Sequence, residues 1–275
     1  MIRDAAREFT MKEVLPVANQ LDGPDGEIPM ELRQKMADMG YFGITIPEEF
    51  GGLGLGCFEY CMISEELARG WMSVASIVAR GNGLYKLVPG VGAERTRQIE
   101  AMARGQYLGA FAMSEPQTGS DVSGIACRAR REGDEWVING NKYWCTFADG
   151  ADFIYVVCRT DALNEAKPHL GLTGIVVEKP RGQLPQGVQG SPIPKIGYFG
   201  WKTWELAFDN FRVPGSALIG EEGAAFAGFS SGLEIYRAHT AARSIGLAPG
   251  ALEDATAYAK ERIQFGVAIG SFQAI

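Results

Sequence analysis

The residues that build metal centres and redox pairs are scarce in this sequence. Histidine occurs twice, at His169 and His239, which leaves little material for a His-based metal site or a catalytic triad. The five cysteines, an odd number, stand at 57, 61, 127, 145 and 158, and none forms a CxxC pair. In a chain of 275 residues that pattern argues against a disulfide framework and makes a reducing compartment the default. Cys57 and Cys61, four apart on one predicted helix face, read as core residues rather than metal ligands. No apolar run approaches membrane-spanning length, and the N-terminus carries no signal-type apolar region. An excess of basic charge is also missing. The net charge of -7 argues against a nucleic-acid surface, although a local arginine or a helix N-terminus can still hold an anion.

What is present is an ordinary globular composition, 46% hydrophobic and 21% charged, in a length that allows one large or two ordinary domains with an ample core. Its texture changes twice. Residues 1–106 read as helical: Ile2, Ala5, Ala6 and Phe9 recur at helical spacing, and Pro29 can open a helix that Gly40 closes. Residues 59–68, 74–87 and 94–103 continue in that manner. From 107 to 216 the chain becomes strand-like, with short runs at 107–113, 135–139, 142–146, 153–158, 174–178 and 203–208 between turn-rich segments. Asn139-Gly140 predicts a tight hairpin, and the lack of intervening helices favours an antiparallel, barrel-like sheet over a parallel one. Over 217–275 helices return, predicted at 221–244 and 247–264, with Ala251, Ala255, Tyr258 and Arg262 along one face. Residues 273–275 read as the start of another helix, so the expectation is a helical bundle that continues past Ile275, with a smaller part missing before Met1. The fold class expected is therefore α+β and multidomain, in the order helical, sheet, helical.

One glycine-rich run invites a dinucleotide reading. Residues 51–56 (GGLGLG) lack the G-x-G-x-x-G spacing and no βαβ unit surrounds them, so a tight loop explains them better. The segment 111–121 (FAMSEPQTGSD) carries more. Ser114, Thr118, Ser120 and Asp121 cluster around Gly119, which permits close backbone approach. This is either a self-capped polar turn or a ligand loop on a rigid sheet. Trp144 and Thr146, at the end of a predicted strand, can offer a flat ring and a hydroxyl to a planar ligand; the other reading of Trp144 is core packing.

Four ordered segments resemble the acyl-CoA dehydrogenase family over nearly the whole chain. They are PEEFGG at 47–52, the 111–121 block, KIG at 195–197 with ELAFD at 205–209 and Val213-Pro214, and RIQFG at 262–266 with Gln273. The resemblance implies FAD as cofactor, an acyl-CoA thioester as substrate, an electron-transfer flavoprotein as partner and a homotetramer or homodimer. It also implies a place in fatty acid β-oxidation, in a bacterial cytoplasm or a mitochondrial matrix. It assigns Phe111, Met113, Ser114, Gly119 and Ser120 to the flavin edge, Ser120 also to the acyl-CoA, and Trp144, Cys145 and Thr146 to the flavin face. Arg262, Gln264, Phe265 and Gln273 would meet the FAD diphosphate and adenosine, across a subunit boundary. Arg suits phosphate oxygens, though Arg262 viewed alone also reads as an exposed helical residue.

In this family a carboxylate removes the α-proton of the thioester while a hydride leaves the β-carbon. Aligned with members similar to isovaleryl-CoA dehydrogenase, Arg237 follows the position of that base, which here is Tyr236. Tyrosine is a poor base at neutral pH, and Glu234, two residues earlier, lies roughly 200° round the helix. Glu234, Tyr236 and Arg237 are expected at the substrate, residues 72–83 are expected to set pocket depth, and no catalytic base is assigned within the chain. Two other readings stand beside the dehydrogenase: an acyl-CoA oxidase or related flavin oxidase, and a non-catalytic fragment that binds FAD or acyl-CoA.

Overall fold

The computed structural model describes every residue except Leu163 and Ala274, and the backbone but not the side chain of Ser231. The first hundred residues form helices α1 (Ile2–Phe9), α2 (Leu15–Leu21), α3 (Met30–Asp38), α4 (Cys57–Gly70), α5 (Met72–Ile77), α6 (Ala79–Asn82) and α7 (Gly92–Ala103). Pro29 is the N-cap of α3, and Gly40, at φ 73°, provides the left-handed residue just past its end. The glycine-rich run at 51–56 is a loop folded on itself. Leu53 N–H donates to Gly43 (2.8 Å), and Gly54 N–H donates to Ile46 (2.9 Å).

The middle of the chain is one open eight-stranded sheet. Its strands are β1 (Gly109–Ala112), β2 (Arg128–Glu132), β3 (Glu135–Thr146), β4 (Phe153–Arg159), β5 (Leu172–Glu178), β6 (Gln189–Pro192), β7 (Thr203–Pro214) and β8 (Leu218–Ile219). The order is β6-β7-β3-β2-β4-β5-β8, with β1 also on β4. The expected antiparallel pairing holds for most of it, but β4 receives β1 and the start of β2 in parallel along the same edge. That edge is therefore split, and residues 113–127 emerge from the split.

The predicted hairpin at Asn139-Gly140 is not formed. The two short runs are one strand, β3, and the irregularity is a bulge opposite β7. Gly140 takes φ 136° because Cys127 passes beneath it: an added Cβ would lie 2.7 Å from the Cys127 Cα. The hairpin is β2–β3 instead, turning at Gly133 (φ 62°).

The two helices expected after residue 217 are a single one, α8 (Ala225–Glu261), which runs through Pro249. Packing overrides the local breakers. Tyr60 of α4 stacks on His239 of α8 with centroids 4.4 Å apart. Gly246 lets the helix backbones meet, because an added Cβ there would press on the Glu65 carbonyl and lie 2.9 Å from the Ala68 Cβ. Gly246→Ala is a direct test. Helix propensity alone would make it stabilising by about 1 kcal/mol. Overpacking should reverse the sign, to a net loss of about 1–2 kcal/mol in urea unfolding. A variant as stable as wild type would contradict the close crossing. Past α8, Ile263–Gln264 (β9) and Val267–Ala268 (β10) form a small hairpin. The helix expected at 273–275 falls partly outside the described residues.

Candidate active site

A cavity of about 340 Å³ lies where the three parts meet. The α5–α6 segment contributes Ser76, Ala79 and Arg80, within the stretch expected to set pocket depth. β1 and the residue after it contribute Phe111 and Met113, and the end of β3 contributes Thr146. From α8 come Phe229, Leu233, Tyr236, His239, Thr240 and Arg243, spaced by three or four apart from the adjacent pair His239 and Thr240, as one helix face requires. Tyr198, at φ 61°, closes the side.

The segment 113–127 is anchored beside it by a buried ion pair. Glu115 accepts from Lys142 Nζ (2.8 Å) and from the backbone N–H groups of Ala126 (2.8 Å) and Cys127 (2.9 Å). The Glu115 and Lys142 side chains are 2% and 0% exposed, so the pair is structural rather than a solvated surface bridge. Lys142 also donates to the Met113 carbonyl (3.0 Å), and Tyr143 N–H donates to the Ser114 carbonyl (2.8 Å). The loop and the end of β3 are thus one rigid unit. Arg159 holds the loop's far end, donating to carbonyls of Ser123 (2.7 Å) and Ile125 (3.0 Å).

This anchoring leaves the tip open. Gly119 and Ser120 are exposed, and nothing lies within 4 Å of a Cβ added at Gly119. Among the described residues their N–H groups, and the hydroxyls of Ser114 and Ser120, have no internal partner. Trp144 stands at a second register shift of β3, between Lys142 and Cys145, with φ 60°. A bulky residue is strained in that region, and its indole is 54% exposed. A strained backbone that presents a large flat ring beside free donors fits a planar ligand better than it fits core packing.

Not every expected residue meets here. Phe111, Met113, Thr146 and Tyr236 line the cavity; Ser114 and Trp144 do not, but Ser114 follows Met113 in the chain and Trp144 precedes Thr146 by two residues. The Cys145 side chain is fully buried and is not among the residues lining the cavity; burial pushes its thiol up to about 12 although Arg80 lies near it. Glu234 and Arg237 are exposed and off the lining face of α8. Arg262 is the C-cap of α8 rather than a helical residue; Gln264 belongs to β9, and Phe265 to its turn. Nineteen residues separate Arg243 from Arg262, roughly 28 Å along a helix. Arg262, Gln264, Phe265 and Gln273 are exposed and cannot reach this chain's own cavity. Sequence reasoning missed Arg243, and it reached Arg80 only as part of the 72–83 stretch without singling it out. The available signal was that Arg243 lies seven residues, two turns, after Tyr236.

Tyr236 donates its phenolic proton to the Gly83 carbonyl, and burial raises its pKa well above the usual tyrosine value. It is a wall residue, not a base. His239 is depressed to about 3, by burial first and then by Arg243, so it is neutral. Its Nε2 therefore carries the proton given to the Ala75 carbonyl (3.0 Å). No aspartate or glutamate lines the cavity among the described residues.

A helical layer, an open sheet and a long helix around one shared pocket define an α+β protein whose site belongs to all three parts. The N-terminal, middle and C-terminal domain models of acyl-CoA dehydrogenase match residues 1–106, 110–211 and 226–275. The chain is 40% identical to (2S)-methylsuccinyl-CoA dehydrogenase of Cereibacter sphaeroides, over 99% of this chain and 51% of that protein. It is 35% identical to mitochondrial isovaleryl-CoA dehydrogenase of Oryza sativa subsp. japonica, over 99% of this chain and 66% of that protein. The solved glutaryl-coenzyme A dehydrogenase–glutaryl-CoA complex superposes with a TM-score of 0.87 at 32% identity, over 100% of this chain and 69% of that one. The chain thus spans from about half to about two thirds of the length of these relatives. This chain belongs to the acyl-CoA dehydrogenase family, whose members are FAD-dependent flavoproteins.

Proposed function

We propose that the chain supplies the flavin and thioester site of an FAD-dependent acyl-CoA dehydrogenase. The reaction removes a proton from the α-carbon and a hydride from the β-carbon of an acyl-CoA, leaving the trans-2-enoyl-CoA. The electrons then pass to an electron-transfer flavoprotein. The observation that carries this reading is the rigid unit of Ser114 and Trp144, whose free donors and exposed ring stand within two residues of Met113 and Thr146, both of which line the pocket.

FAD, when bound, would accept the reducing equivalents. Phe111, Met113, Ser114, Gly119 and Ser120 would hold its ring edge, and Trp144, Thr146 and the Cys145 backbone its face. The Phe111, Leu84 and Phe229 side chains give the pocket an apolar wall, which would strengthen hydrogen bonds made inside it once a ligand displaces water. Ser120 would also meet the thioester. Glu234 and Arg237 face away from the pocket and are no longer assigned to the substrate. The proton acceptor is not assigned to any residue of this chain. Arg262, Gln264, Phe265 and Gln273 would serve the diphosphate and adenosine of FAD in a second subunit, which agrees with the exposure of Phe265 (94%) and Tyr258 (59%). The parts would divide as 1–106, 107–216 and 217–275.

The test is anaerobic mixing of the FAD-loaded chain with acyl-CoA thioesters. A dehydrogenase site predicts flavin bleaching without peroxide. Rapid peroxide formation in air would favour the oxidase, and bound flavin that never bleaches would favour a non-catalytic binding role. Trp144→Ala should weaken FAD binding about 3- to 10-fold in a fluorescence titration, as loss of about 0.5–1.5 kcal/mol of ring stacking implies. Unchanged affinity would remove Trp144 from the site.

A further inference from the structure

Among the described residues, two arginines of the cavity are left without a counter-charge. Arg80 comes from α6 and Arg243 from α8, and both line the same space. The Nε atoms of both are buried without a partner. Arg243 donates only to neutral oxygens, Tyr198 Oη (2.6 Å) and Thr240 Oγ1 (3.1 Å). Among the described residues Arg80 has no ion pair or hydrogen bond.

Several buried cations of this protein are satisfied. Lys142 has Glu115. The Arg159 guanidinium is spread over carbonyls of Ser123, Ile125, Pro168 and Leu170. Lys195 has the Tyr198 and Trp201 carbonyls. Arg33 of α3 also buries its Nε without a partner, but Arg80 and Arg243 differ in lining one shared space, where the two cations repel each other. Desolvation, then Arg243, works against the charged form of Arg80 even though Tyr198 and Cys145 lie near it. His239, the third basic group, is neutral there. Burying uncompensated charge costs several kcal/mol per ion, so an arrangement of this kind is expected where a ligand brings the anion. Guanidinium groups suit a planar carboxylate, which they bind through paired N–H donors.

We propose that the acyl group of the substrate ends in a second carboxylate, seated between Arg80 and Arg243, so that the substrate is the monothioester of a short dicarboxylic acid. This rests on the thioester reading of the site. The rest of the lining fits it. Leu84, Phe111, Phe229 and Leu233 face the hydrocarbon part, and the two cations come from the helices that close the pocket opposite the β-strands. The short length follows from volume: a cavity of about 340 Å³ holds about ten heavy atoms if each takes the roughly 30 Å³ of a liquid water.

The comparison that decides is equilibrium binding of succinyl-CoA and butyryl-CoA to the FAD-loaded protein by calorimetry, since the two differ by a carboxylate against a methyl. Succinyl-CoA is expected to bind at least tenfold tighter. Arg80→Met and Arg243→Met should each bring the ratio of succinyl-CoA to butyryl-CoA affinity down toward one. Equal binding of both thioesters to wild type overturns the carboxylate seat and leaves the dehydrogenase reading standing. Binding of neither overturns both. A loss of FAD affinity in Arg80→Met, with the succinyl preference intact, would assign the anion to the cofactor instead. The wild-type comparison needs no variant, so misfolding of either variant leaves the proposal testable.

Discussion

Lys142→Met is expected to lower the unfolding free energy by about 3–5 kcal/mol, the cost of leaving one partner of a buried ion pair alone. The pair sits where β1 and β2 part along the edge of β4. Lys142 there closes a ring made of Met113, Glu115 and the loop's return at Ala126 and Cys127. Without the ammonium group, the Glu115 carboxylate keeps two backbone donors and the Gln117 amide (2.9 Å), but it loses its one ion pair and only the more distant Arg159 remains near it. The double variant Glu115→Gln, Lys142→Met removes both charges and should recover part of the loss. Urea unfolding of the wild type, both single variants and the double variant measures this as a coupling energy. Strict additivity would show that the two side chains do not act as a pair. The same variants should loosen Ser114 and Trp144 together, so FAD affinity is expected to fall with stability in Lys142→Met and to return in part in the double variant.

This pair also shows what the sequence could carry. The order helical, sheet, helical was legible because hydrophobic spacing changes from helical to alternating and back, a local property. The ligand loop was legible for a similar reason, since hydroxyls and a glycine between strands mark a turn chemically. The pairing of Glu115 with Lys142 depends on which strand lies beside which, and no spacing along the chain reports that. Asn139-Gly140 misled because its turn propensity is real, yet a glycine is also what a strand needs where Cys127 crosses under it. The break expected at 245–246 failed in the same way. Gly246 is a helix breaker in isolation, and it is carried by the packing of α8 on α4. Arg80 and Arg243 stand 163 positions apart in the chain, so their shared cavity becomes visible only once α6 and α8 are brought together.

Lowering the pH from 7 to 4.5 should cost about 2–3 kcal/mol of stability through His239 alone. The native imidazole is depressed to about 3, against 6.5 for an unfolded histidine. Burial is the first cause and Arg243 the second, Arg80 adds to them, and the Ala75 carbonyl opposes them by favouring a protonated ring. Tyr60 covers the ring face from α4, and no carboxylate among the lining residues stands ready to pair with an imidazolium. Above pH 6.5 both states are neutral at this site and it adds no pH dependence. Between 6.5 and 3 the unfolded chain binds a proton that the native state does not, so stability falls as the pH falls. At pH 4.5 the interval is about two units, at about 1.36 kcal/mol each. Carboxylates elsewhere also titrate in this range, so the measurement is a difference between two profiles. His239→Gln keeps an N–H that can reach the Ala75 carbonyl but cannot take up the proton. Its stability at pH 7 is expected to be lower than wild type, through loss of the stacked ring, while its slope below pH 6.5 should be shallower. Parallel profiles from pH 7 to 4.5 would mean that His239 titrates alike in both states, and the neutral, Arg243-facing ring would have to be abandoned.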